Sequence, residues 1–314
     1  MAAKILIALS TIGGYQPDPL DPLRKAGYEW VLNPYKRKLT ADEVKALAHD
    51  CVGIVAGLEP LTRDVLDALP QLRCISRSGI GVDNIDMPYA QAKGIRVCIT
   101  AEAPIQPVVE LTQGLLLDLF RQISKADRLI RANAWDRLKG RQVKGKTAAV
   151  VGLGRIGRAV ASAFQQLGLR VIGVDPMADA AWCAEAGVAV VPLDAALREA
   201  DVVSLHVSKV PGAGPLIGAR ELAAMKPTAF LLNMARGGVV DETALYETLK
   251  ASRIAGAALD VFDAEPYSGP LQTLDNIVLS PHMGTFTQEA RVAMEHEAVL
   301  NLVQALQSTH ARTG

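Results

Sequence analysis

Short apolar runs rich in β-branched residues recur along the chain, each followed by a helix-sized amphipathic stretch. The runs fall at residues 4–9, 53–56, 73–76 and 96–99, and then from Thr147 onward at 170–174, 188–191, 202–206, 229–232, 257–261 and 277–280. Strand, helix, strand at this rhythm predicts parallel βαβ units with right-handed crossovers. Roughly eleven strands are too many for one comfortable open sheet. The expected fold is therefore α/β, with two doubly wound parallel-sheet domains.

A break is expected at Thr100-Ala-Glu-Ala-Pro-Ile-Gln-Pro107. Beyond it, residues 108–131 carry Leu111, Leu115, Leu119 and Ile123 at helical spacing, which reads as one long helix able to bridge two domains or pack on a second subunit. Residues 288–307 read as a closing helix through Ala290, Met294, Ala298 and Leu302, one that returns to the first domain. No internal repeat, low-complexity tract or appended regulatory module is expected.

Charge narrows the partners. The 33 basic and 33 acidic side chains cancel, without a long run of one sign, so neither nucleic acid nor an anionic membrane finds an electrostatic footprint. Aromatics at 4 % are too sparse for a base-stacking platform. Cys51, Cys74, Cys98 and Cys183 lack a C-x-x-C pair and read as small buried hydrophobes, not a disulfide frame or a zinc site. The apolar stretch at the start is too short for a signal peptide, and no uncharged apolar run could span a bilayer. A cytoplasmic protein without a metal is expected.

At Thr147-Ala-Ala-Val-Val-Gly-Leu-Gly-Arg-Ile-Gly157 an apolar strand enters Gly152-x-Gly154-x-x-Gly157, and a helical pattern follows. Gly152 suits a tight turn, Gly154 lets backbone approach a pyrophosphate, and Gly157 lets helix and strand pack closely. The helix N-terminus, with Arg155 and Ile156 in its first turn, offers amides and a positive dipole end to phosphates. The next strand ends in Asp175, about 20 residues beyond the glycines, where a carboxylate receives ribose hydroxyls. Pro176 and Met177 follow it, with no arginine nearby for a 2′-phosphate, so NAD is favoured over NADP. The turn opens mid-chain, and residues 1–99 are left to hold a substrate.

An enzyme using nicotinamide on a hydroxyl or carbonyl needs a proton carrier and a cation for the substrate's charge. His282, in Ser280-Pro-His-Met-Gly284 just after a strand, is the foremost base candidate. Glu265 follows another strand, where it could hydrogen-bond that imidazole, and Arg236 stands beside glycines where a guanidinium could grip a carboxylate. His206 closes a strand at the edge where cofactors bind. On spacing alone these polar residues serve equally well as helix caps or strand ends.

Four segments together resemble the motif series of the D-isomer-specific 2-hydroxyacid dehydrogenases, in a phosphoglycerate dehydrogenase-like form lacking a regulatory domain. They are Gly152-Leu-Gly-Arg-Ile-Gly157, Asn233-x-Ala-Arg-Gly-Gly-x-Val-Asp241-Glu, Asp260-Val-Phe-x-x-Glu-Pro266 and Pro281-His-x-Gly284. Ser76-Arg-Ser-Gly-Ile-Gly-Val-Asp-Asn-Ile-Asp86 looks like that family's substrate loop. The resemblance implies a Rossmann cofactor domain, residues 100–283, inserted into a flavodoxin-like substrate domain formed by residues 1–99 and 284–314. It implies that Arg236 binds the substrate carboxylate, that His282 is the general acid or base, and that Glu265 orients it. Ser78, Gly79 and Ile80 would hold the carboxylate through their backbone, and Asp260 would meet the nicotinamide carboxamide. His206, Val207, Met234, Ala235 and Gly284 would lie beside the cofactor.

It further implies a homodimer through the cofactor domain and a 2-hydroxy or 2-oxo acid substrate, phosphoglycerate among the candidates. Two departures stand out: Val207-Ser-Lys-Val-Pro-Gly-Ala-Gly214 replaces the usual Pro-x-Thr run, and Ala56-Gly-Leu-Glu-Pro60 replaces a basic loop. An NAD(H)-sensing scaffold, or a dehydrogenase of phosphite or formate, fits the same motifs.

Overall fold

The computed structural model describes residues 3–10, 12, 18–210 and 212–310. Its contacts divide the chain into two units, Met1–Pro104 with Thr285–Gly314, and Ile105–Gly284.

The first unit alternates β1 (Lys4–Ile7), α1 (Asp21–Ala26), β2 (Glu29–Leu32), α2 (Ala41–Ala48), β3 (Cys51–Ala56), α3 (Arg63–Asp67), β4 (Cys74–Arg77), α4 (Met87–Ala92) and β5 (Arg96–Ile99). All strands pair in parallel in the order β2-β1-β3-β4-β5, so the winding reverses between β1 and β3. Ile5, Leu6 and Ile7 are fully buried, because a central parallel strand is covered on both faces. On one face Leu6, Ile54 and Ile75 pack with Val44, Val65 and Leu66 of the intervening helices.

In the second unit α5 (Ile105–Arg121) and α6 (Ile123–Arg131) precede β6 (Thr147–Val151), α7 (Arg155–Gln166), β7 (Arg170–Val174), α8 (Ala180–Ala186), β8 (Ala189–Val190), α9 (Leu193–Glu199) and β9 (Val202–Leu205). Then come α10 (Ala219–Ala224), β10 (Phe230–Asn233), α11 (Glu242–Lys250), β11 (Gly256–Leu259) and β12 (Ile277–Leu279). The seven strands are parallel in the order β12-β11-β10-β9-β6-β7-β8. The closing helix, α12 (Gln288–His310), belongs to the first unit, where Ala298, Val299, Leu302 and Leu306 cover the second face of the sheet with Ile5, Ile7 and Val55. A Cβ at Gly53 would sit 3.0 Å from Ile5 and 3.1 Å from Leu302, so that glycine sets how closely α12 approaches.

Three details differ from the sequence expectation. The alternation omitted β2, an edge strand whose Glu29 and Leu32 are exposed, so it has no apolar run to display. The single helix over 108–131 is two helices: Gln122 adopts a left-handed backbone, φ 56°, and Asp118 accepts from Ser124 N at 2.7 Å to start the second. Pro107 does not precede the helix but is buried in its first turn, where a missing N–H has no intrahelical partner to lose.

Candidate active site

The glycine turn joins β6 to α7. Gly152 has φ +92°, and a Cβ there would overlap the carbonyl of His206; at Gly157 it would overlap the carbonyl of Gly152. Gly154 is the opposite case, exposed with nothing within 4 Å of its Cβ position, and no side chain caps α7. An open backbone cradle at the positive end of a helix of this length fits a dinucleotide pyrophosphate. Asp175 closes the turn: its Oδ2 accepts from Leu153 N at 2.7 Å and its Oδ1 from Met177 N at 2.8 Å. A carboxylate has about four acceptor positions, so two remain for hydroxyls.

His206 follows β9 with Nε2 2.7 Å from Ser204 Oγ, while Nδ1 is buried without a hydrogen-bond partner among the described residues. Burial lowers its pKa to about 3, so the ring is neutral. The Val207 side chain abuts Gly152, and Met234 and Ala235 are buried beyond β10.

The adjacent strands β10, β11 and β12 deliver the three candidate catalytic residues from one sheet edge. After β10, buried Asn233 locks the turn, its Oδ1 accepting from Ala235 N at 3.1 Å and its Nδ2 donating to Arg236 O at 3.2 Å. Arg236 Nη1 donates to Ala235 O at 2.7 Å. A Cβ on Gly237 would overlap the Phe262 carbonyl, so the Arg236 segment lies directly against the loop leaving β11. In that loop Glu265 Oε1 accepts from Phe262 N at 3.1 Å, and Oε2 lies 2.8 Å from His282 Nδ1. With Nδ1 held by the carboxylate, Nε2 is the atom left to exchange a proton.

His282 itself sits at φ +52°, a left-handed conformation unusual for a residue with a Cβ. The cause is Asp260, 2 % exposed, whose Oδ1 accepts from Ser280 Oγ at 2.6 Å and Met283 N at 2.9 Å, and whose Oδ2 accepts from Gly284 N at 2.8 Å.

Ser78, Gly79 and Ile80 belong to the first unit, in the loop after β4. Ser78 N donates to Ala56 O at 2.8 Å and Gly79 N to Thr100 Oγ1 at 2.6 Å, so both amides are already engaged. The buried Ser78 hydroxyl has no hydrogen-bond partner among the described residues.

The model of the D-isomer specific 2-hydroxyacid dehydrogenase, NAD binding domain, matches residues 113–284. This chain belongs to that family. A D-3-phosphoglycerate dehydrogenase of Methanocaldococcus jannaschii is 41 % identical over 260 residues, 81 % of this chain and 50 % of that one. A glyoxylate reductase of Thermofilum pendens is 40 % identical over 262 residues, 79 % of this chain and 76 % of that one. The crystal structure of the TT0316 protein from Thermus thermophilus superposes with a TM-score of 0.88 at 33 % identity, covering 97 % of each chain. The chain spans about half the length of the phosphoglycerate dehydrogenases it matches.

As a 2-hydroxyacid dehydrogenase family member the chain carries an NAD-binding unit, and the turn around Gly154 lies within the matched residues. Sequence reasoning gives no role to Ser280, Asn233 and Thr100, whose side chains shape the loops around the candidate residues. Each is a short polar residue at a strand end, the position at which side chains bond local backbone. For Ser280 and Thr100 that position is the signal; Asn233 also heads one of the family-like segments.

Proposed function

We propose that the protein is an NAD-dependent oxidoreductase interconverting a D-2-hydroxy acid and its 2-oxo acid. The carrying observation is the 2.8 Å pair of Glu265 and His282, built on the sheet edge that also bears Arg236, inside the family's NAD-binding unit. NAD, held at the Gly154 turn and by Asp175, would supply the acceptor or donor of the hydride. His282 Nε2 takes the hydroxyl proton in oxidation and returns it in reduction, while Glu265 holds the ring through Nδ1. Arg236 binds the substrate carboxylate and stabilises the oxygen where charge develops.

Asp175 selects NAD: its two remaining acceptor positions suit ribose hydroxyls, and its charge repels a 2′-phosphate. The relatives' names, D-3-phosphoglycerate dehydrogenase and glyoxylate reductase, point to small 2-oxo acids as the substrate class. A homodimer is supported by α6, which buries none of its residues, and by Ile123, Ile130 and Trp135, the last 80 % exposed, an apolar series that a second copy would cover. Such a protein acts in the cytoplasm.

Purified protein incubated with NADH and a panel of glyoxylate, pyruvate, hydroxypyruvate and its 3-phosphate ester should consume NADH with at least one acid. Binding of NADH without consumption would favour a sensing scaffold. Sedimentation of wild type against Ile130→Glu tests the dimer, which the charge should dissociate.

A further inference from the structure

Within the second unit, the turn after β10 and the loop after β11 press on each other. A Cβ on Gly237 would overlap the Phe262 carbonyl and crowd Asp263 N, and one on Gly238 would overlap the Lys209 ammonium and the Asp263 carboxylate, which pair at 3.6 Å. The turn then runs into α11, whose start is fixed twice over. Asp241 N donates to Ile217 O at 2.9 Å, and Asp241 Oδ1 caps the helix by accepting from Ala244 N at 2.9 Å. Glu242, the first residue of α11, is half-buried, and its Oε1 accepts from Asp263 N at 2.7 Å.

Asp263 stands in the chain between Asp260, which organises the His282 loop, and Glu265, which meets the imidazole. Phe262 and Tyr267 stack with ring centroids 4.4 Å apart and close the base of their loop. Burial raises the Glu242 pKa, the bond from Asp263 N opposes the rise, and the charges of Asp263 and Glu265 add to it, so Glu242 and Glu265 lie within electrostatic reach. Acidic neighbours do not attract Glu242 to this place. The favourable contact is the amide, through a charge-assisted hydrogen bond of the stronger kind.

We infer that Glu242 is a positioning residue that braces the loop bearing Glu265 against the turn bearing Arg236. This rests on the dehydrogenase reading above and adds to it the side chain that fixes the base-holding loop relative to the cation. The brace needs an acceptor oxygen on residue 242, not a negative charge. Misplacing a catalytic group by about an ångström costs up to about 10²-fold, and losing one of several supports should cost less.

The test is kcat, and KM for NADH, with glyoxylate and hydroxypyruvate, in wild type, Glu242→Ala, Glu242→Gln, Glu265→Gln and the Glu242→Ala, Glu265→Gln double variant. Glu242→Ala should lower kcat by about tenfold and leave KM for NADH within about twofold, while Glu242→Gln, which keeps an oxygen for Asp263 N, should stay within about threefold of wild type. Added to Glu265→Gln, Glu242→Ala should cost less than about threefold, because its effect passes through Glu265. Wild-type kcat in Glu242→Ala, an equal loss in Glu242→Gln, or a further tenfold loss on top of Glu265→Gln overturns the inference. If Glu242→Ala does not fold, Glu242→Asp, one methylene shorter, takes its place with the same expectations. Wild type that binds NADH and reduces neither acid overturns the dehydrogenase reading instead. Hydrogen exchange then decides the brace: the Asp263 amide should exchange at least about tenfold faster in the Ala or Asp variant than in wild type, and equal rates overturn it.

Discussion

Glu265 Oε2 lies 2.8 Å from His282 Nδ1, joining the loops that leave two neighbouring strands, β11 and β12. Its other oxygen accepts from Phe262 N at 3.1 Å, so the carboxylate is anchored in its own loop before it reaches the imidazole. Glu265→Gln keeps the shape and replaces the carboxylate oxygen pair that holds the imidazole with an amide. It should lower kcat by about tenfold and leave NADH affinity unchanged, as measured by turnover and by fluorescence titration. An unchanged kcat would show that the pair is structural only.

Asp260 organises the loop that carries His282. Asp260→Ala removes the acceptor for the Met283 and Gly284 amides and the Ser280 hydroxyl, and should cost roughly 3 kcal/mol of stability. Released from its left-handed conformation, His282 should lose position, and kcat should fall by about 10²-fold. Thermal unfolding and turnover check the two effects separately; a destabilised variant of normal kcat would detach Asp260 from the positioning of His282.

Two glycines of one turn should fail differently. Gly157→Ala places a methyl into the Gly152 carbonyl and should destabilise the folded unit, whereas Gly154→Ala meets nothing in the protein. The Gly154 variant should melt like wild type yet bind NADH at least about tenfold more weakly, because its methyl occupies the space assigned to the pyrophosphate. Circular dichroism and NADH titration distinguish them, and wild-type affinity in Gly154→Ala would move the phosphates elsewhere.

The half-buried His206 ring, whose Nδ1 is out of solvent, makes stability depend on pH. Its pKa is lowered from 6.5 to about 3 by burial, so below pH 6.5 the unfolded chain takes up a proton that the folded chain refuses. Stability contributed at this position is present above that pH and lost as pH falls, by at most about 1.4 kcal/mol per pH unit. His206→Gln should therefore show a flatter dependence of Tm on pH between pH 6.5 and about 4. Equal slopes would mean that the folded ring titrates normally.

Legibility in the sequence followed burial. The central strands β1, β3, β6 and β9 announce themselves because both faces are covered and most positions are apolar, as with Ile5, Leu6 and Ile7. At the edge, β2 has Glu29 and Leu32 exposed and left no such mark. The break at Gln122 was hidden because a left-handed residue between two amphipathic helices does not disturb their periodicity. Candidate chemistry was readable as residue types at strand ends, and Arg236, Glu265 and His282 were found that way. What spacing could not supply was the support: Asp260 holding a loop with both oxygens and Asn233 locking the Arg236 turn. Those roles depend on which strands become neighbours, and β10, β11 and β12 are neighbours only once the sheet is assembled.

The most direct measurement is NADH consumption by wild type and His282→Ala with hydroxypyruvate and glyoxylate, run beside NAD reduction by the D and L forms of one 2-hydroxy acid. Wild type should reduce at least one acid and oxidise only the D form, and His282→Ala should bind NADH normally while turning over about 10²-fold more slowly or worse. Full activity in His282→Ala, or oxidation of the L form alone, would contradict the assignment.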